Sequence, residues 1–325
     1  MTNVAVTFRV GGEEREILIS LLGRLANVVF VTDLSPEDRA KELALADVLI
    51  SWSPGRELQS EEFMKIGRAR MMQLLSAGAD HIPFSSLPSD LVIASNVGAY
   101  AESMAEHALA MILAITKNLL DRHEKLRDGT FDQSNVNRML RGSSCAILGF
   151  GGIGRATARL LRCLGVKIYG INTTGKTDER VEFIGTLKDL EHVLHVANII
   201  LVALPLTNST RGLISGRELA WMKEDAILVN VARGEIIDEG SLYRKLKANP
   251  GFTAAIDAWW IEPLRHGEFR TNYPFLTLPN VLGSPHNSAI AAGSSLEATR
   301  RAAENVKRFL NHEPVTGLVR SVDYE

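Results

Sequence analysis

Cys145-Ala-Ile-Leu-Gly149-Phe-Gly151-Gly152-Ile153-Gly154 is the stretch that decides the fold. The pattern G-x-G-x-x-G occurs often by chance, and alone it is a weak signal. Here an apolar run at 144–148 leads directly into it, and a helical pattern at 155–164 leads out of it. In that setting each glycine has a task. Gly149 permits the tight turn, and Gly151 lets the backbone approach a pyrophosphate. Gly154 lets helix and strand pack closely, while the helix N-terminus faces the anion. Gly149, Gly151, Gly152, Ile153 and Gly154 are therefore the predicted dinucleotide contacts. The competing reading is a plain structural turn.

On both sides of the fingerprint, short apolar runs alternate with amphipathic stretches. Residues 4–10, 28–31, 48–51, 72–75 and 91–94 read as five strands before it, with helical stretches at 14–25 and 36–46 between them. From the fingerprint onward, 144–148, 167–171, 199–203, 226–230, 254–257 and 281–284 read as six more. Such alternation means βαβ units and parallel sheets, and runs that are apolar throughout mean sheets covered on both faces. A long helical pattern begins near Ala101: Met104, Ala105, Ala108, Leu109, Met111, Ile112 and Ile115 recur at spacings of three and four. A polar loop at 128–142 follows it, and the first domain boundary is placed just before it. A helix at 294–310 and a tail without a clear element close the chain. The predicted fold class is α/β, with two doubly wound parallel sheets.

A length of 325 residues suggests two domains. Lys and Arg number 36 against 38 Asp and Glu, a net charge of −2, which argues against a nucleic-acid binder. Cys145 and Cys163 are too few for a disulfide framework and point to a reducing cytoplasm. The N-terminus shows no basic segment followed by an apolar one, so no signal peptide is expected. The longest apolar stretch, 104–115, contains Glu106 and His107 and is too short to span a bilayer. The expectation is a soluble cytoplasmic protein with neither a nucleic-acid nor a membrane partner.

The dinucleotide fingerprint ordinarily ends in an acid about 20 residues on, which binds the ribose 2′-hydroxyl. Here the second strand delivers Asn172, Thr173, Thr174 and Lys176, with no carboxylate. An acid would repel a 2′-phosphate, whereas hydroxyls, an amide and a lysine would not. The pocket is expected to accept NADP and to prefer it over NAD, although the arginine usual for a 2′-phosphate is also missing.

Three further strand ends carry chemistry. Val229-Asn-Val-Ala-Arg233 ends in a guanidinium that can grip a carboxylate or ketone oxygen; alone it could equally be a surface ion pair. Ala255-Ile-Asp257 ends in an acid, with Glu262-Pro263 five residues on, and Asn280-Val-Leu-Gly-Ser-Pro285-His286 ends in a histidine. Ligands bind at the C-terminal edge of such sheets, so the four groups are expected together, with His286 as proton donor or acceptor. A lone strand-end histidine is more often structural, but joint occurrence on consecutive strands favours the site. His192 and His195, three apart on a helical pattern, and His107 in the long helix read as helical faces, and no metal is predicted.

In this order, the glycine fingerprint, Arg233-Gly234, Asp257-x-x-x-x-Glu262-Pro263 and Pro285-His286 resemble the D-isomer-specific 2-hydroxyacid dehydrogenases. Leu74-Leu-Ser-Ala-Gly78-Ala-Asp80, Asn96-Val-Gly98, Ala105-Glu106, Leu204-Pro205-Leu-Thr207 and Thr210-Arg-Gly212 extend the resemblance over nearly the whole chain. It implies a flavodoxin-like substrate domain from 1–98 plus 289–325, with a Rossmann NAD(P)-binding domain, 99–288, inserted. It implies that His286 protonates the carbonyl oxygen as hydride arrives from the nicotinamide, that Glu262 holds the imidazolium, and that Arg233 binds the substrate carboxylate. It further implies that the backbone of Ser76, Ala77 and Gly78 receives that carboxylate, and that Asp257 contacts the nicotinamide carboxamide. Pro205, Thr210, Val231, Ala232, His286 and Ser288 are implied dinucleotide contacts, and a homodimer built around the long helix is implied as well. The apolar positions of that helix are equally explained by burial within one chain.

The expected activity is reduction of a small 2-keto acid such as glyoxylate or hydroxypyruvate to the D-2-hydroxy acid. Phosphoglycerate and phosphite oxidation are alternatives, although the Ser76–Gly78 loop lacks the lysine that phosphite users carry. Glu262 stands where the formate dehydrogenases of this family have glutamine. A nucleotide-sensing corepressor is the alternative from another class; the chain lacks the disordered docking tails that would favour it. The stretch 264–278, with Arg265, His266 and Arg270, is longer than usual and is expected to be a plain solvated loop rather than a cap or a dimer contact.

Overall fold

The structure, a computed structural model, describes residues 2–134 and 136–325. The chain forms two compact units: one runs to Tyr100 and takes up Ile290–Glu325, and the other is Ala101–Ala289.

In the first unit, β1 (Thr2–Val6), β2 (Ala26–Phe30), β3 (Val48–Ser51), β4 (Met71–Leu74) and β5 (Val92–Ala94) form one parallel sheet. Its order is β2-β1-β3-β4-β5, which is the flavodoxin-like winding. The interior strands β3 and β4 are buried along their whole length, because α1 (Gly12–Leu22), α2 (Pro36–Leu45) and the chain's last helix, α12 (Ser294–Leu310), together with the short α3 (Pro54–Glu57) and α4 (Ser60–Phe63), surround them. Local sequence starts α2 cleanly: Ser35 accepts from Asp38 N, Pro36 opens the first turn, and Glu37 and Asp38 complement the helix dipole. The last helix packs on α1 and β4. Its Asn305 Nδ2 donates to Gln73 Oε1 (2.6 Å) and to Thr316 O (3.0 Å), and Asn96 Nδ2 donates to Ala298 O (2.8 Å). The tail also has a place, since Leu318 makes an antiparallel bridge to Ala94.

Among the described residues, the second unit holds seven parallel strands: β6 (Ser144–Leu148), β7 (Lys167–Ile171), β8 (Phe183–Gly185), β9 (Ile199–Val202), β10 (Ile227–Asn230), β11 (Thr253–Ile256) and β12 (Val281–Gly283). Their order, β12-β11-β10-β9-β6-β7-β8, is the Rossmann winding with one strand added beyond β11. Its helices are α5 (Ala101–Thr116), α6 (Leu119–Arg127), α7 (Gly152–Cys163), α8 (Leu190–Val196), α9 (Gly216–Trp221), α10 (Glu239–Ala248) and the short α11 (Pro263–His266). Strands β6, β9 and β10 are buried end to end.

Three expectations need correction. Six strands were expected from the fingerprint onward and seven are present; β8 is three residues long, pairs only with β7, and follows the charged run 176–182. The long helical pattern is two helices, because Asn118 adopts a left-handed conformation (φ 48°) between α5 and α6. The stretch 264–278 is not a plain solvated loop. Phe275 is fully buried and stacks on Trp260 (5.2 Å), Phe269 meets Trp259 edge-on (5.5 Å), and Arg265 pairs with Glu235 (2.9 Å). Among the described residues, no helix is long and apolar enough to cross a membrane.

Candidate active site

The fingerprint has the geometry a dinucleotide turn needs. Gly149 lies at φ 98°, and a Cβ there would fall 2.4 Å from Ala203 O. A Cβ on Gly154 would fall 2.4 Å from Gly149 O. A Cβ on Gly151 would meet nothing within 4 Å, so the space in front of the α7 N-terminus is open where a pyrophosphate would lie. Backbone contact forces the first and third glycines, whereas no neighbouring atom requires the second.

Beyond β7, the Asn172 side chain folds its own loop. Its Oδ1 accepts from Gly175 N (2.7 Å) and Thr174 N (3.1 Å), and its Nδ2 donates to Lys176 O (2.9 Å). Thr173 and Thr174 are exposed, and no carboxylate lies in 172–177. Nearby, Arg155 on α7 pairs with Asp178 (2.5 Å). Thr210, an implied dinucleotide contact, is buried with its hydroxyl on Pro205 O (2.6 Å), so it shapes the 205–210 loop.

The ends of β10, β11 and β12 bring the chemical groups together. His286 Nδ1 lies 2.8 Å from both Glu262 oxygens, and Trp259 N donates to Glu262 Oε1 (2.7 Å). Burial alone would push the Glu262 carboxyl up. The His286 hydrogen bond and charge, the Trp259 amide and the nearby Arg233 guanidinium outweigh it and hold Glu262 below the usual carboxylate range. An ionised carboxylate only accepts, so Nδ1 carries the hydrogen, and Nε2 is the ring nitrogen not engaged by Glu262. Arg233 is placed by Asn230, whose Nδ2 donates to Arg233 O (2.9 Å) and whose Oδ1 accepts from Ala232 N (3.1 Å).

Asp257 is fully buried and gathers the loop that carries His286. It accepts from Ser284 Oγ (2.6 Å), Asn287 N (3.1 Å) and Ser288 N (3.2 Å). Burial works against its charge, but the hydrogen bonds from Ser284 and Ser288 and the imidazoles of His107 and His286 hold its carboxyl below the usual range. His286 itself sits at φ 50°, a left-handed conformation that costs a non-glycine residue about 1–3 kcal/mol and persists only where its surroundings impose it. The Ser288 hydroxyl is buried with no hydrogen-bond partner among the described residues, a donor awaiting a ligand. With the open cradle at Gly151, this orphan shows that the residues present fit a dinucleotide.

In the first unit, Ser76, Ala77 and Gly78 follow β4. Ser76 Oγ donates to Gly78 O (2.9 Å), and Ser76 O accepts from Asn96 N (2.8 Å). Trp52 and Ser53 are arranged by Glu57, a residue sequence reasoning passed over. Its carboxylate accepts from Thr7 Oγ1 and Ser51 Oγ (both 2.6 Å), from Ser53 N (2.6 Å) and from Trp52 N (3.1 Å). Tyr100 donates to Leu75 O (3.0 Å), and burial pushes its hydroxyl up to about 12.

Sequence reasoning also missed the supports of the acid/base pair. His266 Nδ1 accepts from Glu262 N (3.0 Å), and Trp259 Nε1 donates to Ser284 O (2.8 Å). His107, read as helical face, lies 3.1 Å from Ser284 Oγ. His192 and His195 do face neighbours of α8: His192 meets Phe183 edge-on (5.0 Å), and His195 Nδ1 bonds Glu191 O (2.8 Å). Among the described residues, no cluster of three or more His, Cys, Asp or Glu could hold a metal ion.

The family described as D-isomer specific 2-hydroxyacid dehydrogenase, NAD binding domain, matches residues 109–288. The chain is 30% identical to a glyoxylate reductase of Aeropyrum pernix, covering 78% of this chain and 76% of that one. It is 29% identical to a D-3-phosphoglycerate dehydrogenase of Methanocaldococcus jannaschii over 94% of its own length, but spans only 57% of that relative. A crystal structure from Pyrobaculum aerophilum, assigned provisionally as a formate dehydrogenase, superposes with a TM-score of 0.82 at 28% identity over the whole of both chains. The chain belongs to the D-isomer specific 2-hydroxyacid dehydrogenase family.

Proposed function

We propose that this protein reduces a small 2-keto acid, with glyoxylate and hydroxypyruvate the favoured substrates, to the D-2-hydroxy acid, using NADPH in preference to NADH. The observation that carries the reading is the His286–Glu262 pair, with Arg233 one strand end away. When bound, the reduced nicotinamide supplies the hydride. His286 Nε2 delivers a proton to the carbonyl oxygen as charge develops there, and Glu262 stabilises the imidazolium before that transfer. Arg233 holds the substrate carboxylate, and we assign the Ser76–Gly78 turn to the same group. Asp257 fixes the loop, and the free Ser288 hydroxyl is assigned to the carboxamide of the nicotinamide.

Formate oxidation fits the site less well. It moves a hydride and no proton, so a histidine bonded to a buried carboxylate has no task in it. The test is loss of reduced-nicotinamide absorbance with a panel of 2-keto acids, 3-phosphohydroxypyruvate among them, run with NADPH and NADH. Turnover of glyoxylate or hydroxypyruvate supports the proposal. Tight dinucleotide binding with no turnover across the panel favours a sensing module instead.

The NADPH preference rests on the acid-free loop at Asn172. In Asn172→Asp the new carboxylate still accepts from Thr174 N and Gly175 N, so the loop keeps most of its shape. The NADPH/NADH ratio of kcat/KM should fall by about tenfold or more, because like charges repel across a contact. An unchanged ratio removes Asn172 from the ribose pocket.

We propose a homodimer as well, through α6 and the segment after it. The apolar positions of α5 are used inside the second unit, against α7. Leu119, Leu120, Leu126, Phe131, Val136 and Met139 remain more than half exposed, an apolar set that a second copy of the chain would cover. The two free cysteines, one buried and one exposed, fit a reducing cytoplasm, and the near-neutral charge fits small-molecule rather than nucleic-acid partners.

A further inference from the structure

Two residues of α5, one helical turn apart, reach the loop that carries His286, and the function proposed above uses neither. Ser103 Oγ donates to Ser288 O (2.7 Å), at one end of the 284–288 loop. His107 Nε2 lies 3.1 Å from Ser284 Oγ, at the other end, and 3.6 Å from Asp257 Oδ1. Residues at i and i+4 share one face of a helix, so α5 meets both ends of the loop from a single rigid surface.

The direction of the hydrogen bonds follows from proton counting. Ser284 has one hydroxyl hydrogen, and the Asp257 carboxylate, ionised and accepting only, takes it at 2.6 Å. The Ser284 oxygen must then accept from His107, so His107 Nε2 carries a hydrogen. The result is a one-way chain, His107 N–H to Ser284 O–H to Asp257. The Asn287 and Ser288 amides converge on the same carboxylate from the far side of His286. Trp259 Nε1 fastens Ser284 O. Beside the Ser284 amide on Ile256 O (2.9 Å) and the His286–Glu262 pair, the loop is thus held by hydrogen bonds to α5, to Asp257 and to Trp259, while His286 between them sits at φ 50°.

We propose that His107 and Ser103 are positioning residues that brace the acid/base loop. His107 orients the Ser284 hydroxyl toward Asp257, and Asp257 so held keeps the left-handed turn that aims His286 Nδ1 at Glu262. The inference rests on His286 being the acid/base. His107→Leu removes the donor to Ser284. His107→Gln keeps an amide N–H near the position of Nε2. Ser103→Ala releases the other end of the loop from a different residue, so the proposal does not depend on His107→Leu folding.

The experiment has two arms. Hydrogen–deuterium exchange over 281–290 should be about tenfold faster in His107→Leu and in Ser103→Ala than in wild type, and should return most of the way in His107→Gln. In 2-keto acid reduction, kcat should fall about ten- to hundredfold in His107→Leu, because misplacing a catalytic group costs rate more than binding. With kcat normalised to dinucleotide-binding sites, so that a smaller folded fraction does not read as lost rate, KM and dinucleotide affinity should stay within about twofold of wild type. Exchange in that segment unchanged in both His107→Leu and Ser103→Ala would overturn the proposal, as would equal losses in His107→Leu and His107→Gln. Should the wild type reduce no 2-keto acid, the function proposed above fails, and the exchange arm still decides whether the brace exists.

Discussion

His286→Ala lowers kcat for 2-keto acid reduction by about 10²- to 10⁴-fold while leaving dinucleotide affinity nearly unchanged. The loss is large because the neighbouring groups are already committed: His266 Nδ1 accepts from Glu262 N, and His107 Nε2 faces Ser284 Oγ. Asp257 is buried and occupied by three donors, and Glu262 becomes a carboxylate without its partner. Dinucleotide affinity is spared because the glycine turn after β6 and the N-terminus of α7, where the pyrophosphate is assigned, do not involve the His286 side chain. Stopped-flow reduction with saturating NADPH measures the first quantity and fluorescence titration the second. Activity equal to wild type would remove His286 from its assigned role.

Gly149→Ala and Gly151→Ala should part company, and the difference identifies the dinucleotide turn. The added methyl at Gly149 would lie 2.4 Å from Ala203 O, 2.5 Å from Ala203 C and 2.8 Å from Leu204 N. All three are backbone atoms of the neighbouring strand end, and φ is 98°, where an L-residue is strained. The expected outcome is a loss of about 3 kcal/mol or more, visible as a lower unfolding midpoint. At Gly151 the methyl meets nothing within 4 Å, so Gly151→Ala should fold with wild-type stability. That methyl enters the space assigned to the pyrophosphate, and dinucleotide affinity should fall about tenfold or more. Wild-type dinucleotide affinity in Gly151→Ala would show that the pyrophosphate lies elsewhere.

The sheets are legible in the sequence because strands covered on both faces are apolar through their middles. Residues 144–148, 167–171 and 48–51 match β6, β7 and β3 to the residue, with Ser144, Lys167 and Ser51 as polar ends. β8 escaped because an edge strand of three residues beside a charged run leaves no such signature. The break at Asn118 escaped because it changes one dihedral angle and not the apolar spacing on either side. The stretch 264–278 looks solvated in sequence because Arg265, His266, Glu268 and Arg270 crowd its first half, yet its aromatic residues are what fix it: Phe275 under Trp260 and Phe269 against Trp259.

The candidate site divides the same way. Arg233, Asp257, Glu262 and His286 were legible because each ends an apolar strand or follows one within a few residues. Their supports were not, because a hydrogen bond between His107 and Ser284, 177 residues apart, has no period or spacing. The one hint available was that Ser103 and His107 are polar residues four apart on a helix whose other residues, Glu102, Glu106 and Thr116 aside, are apolar. Such pairs are ordinary on helices facing solvent, and only the fold shows what they face.

The most direct measurement follows a single hydride. Reduction of hydroxypyruvate by NADPH deuterated at nicotinamide C4, with the product analysed for isotope position and configuration, tests the central claim in one experiment. The account predicts D-glycerate carrying deuterium at C2, with the hydroxyl proton drawn from solvent. L-glycerate, a product whose C2 carries only protium, or no reduction of any 2-keto acid by a protein that binds NADPH would contradict it.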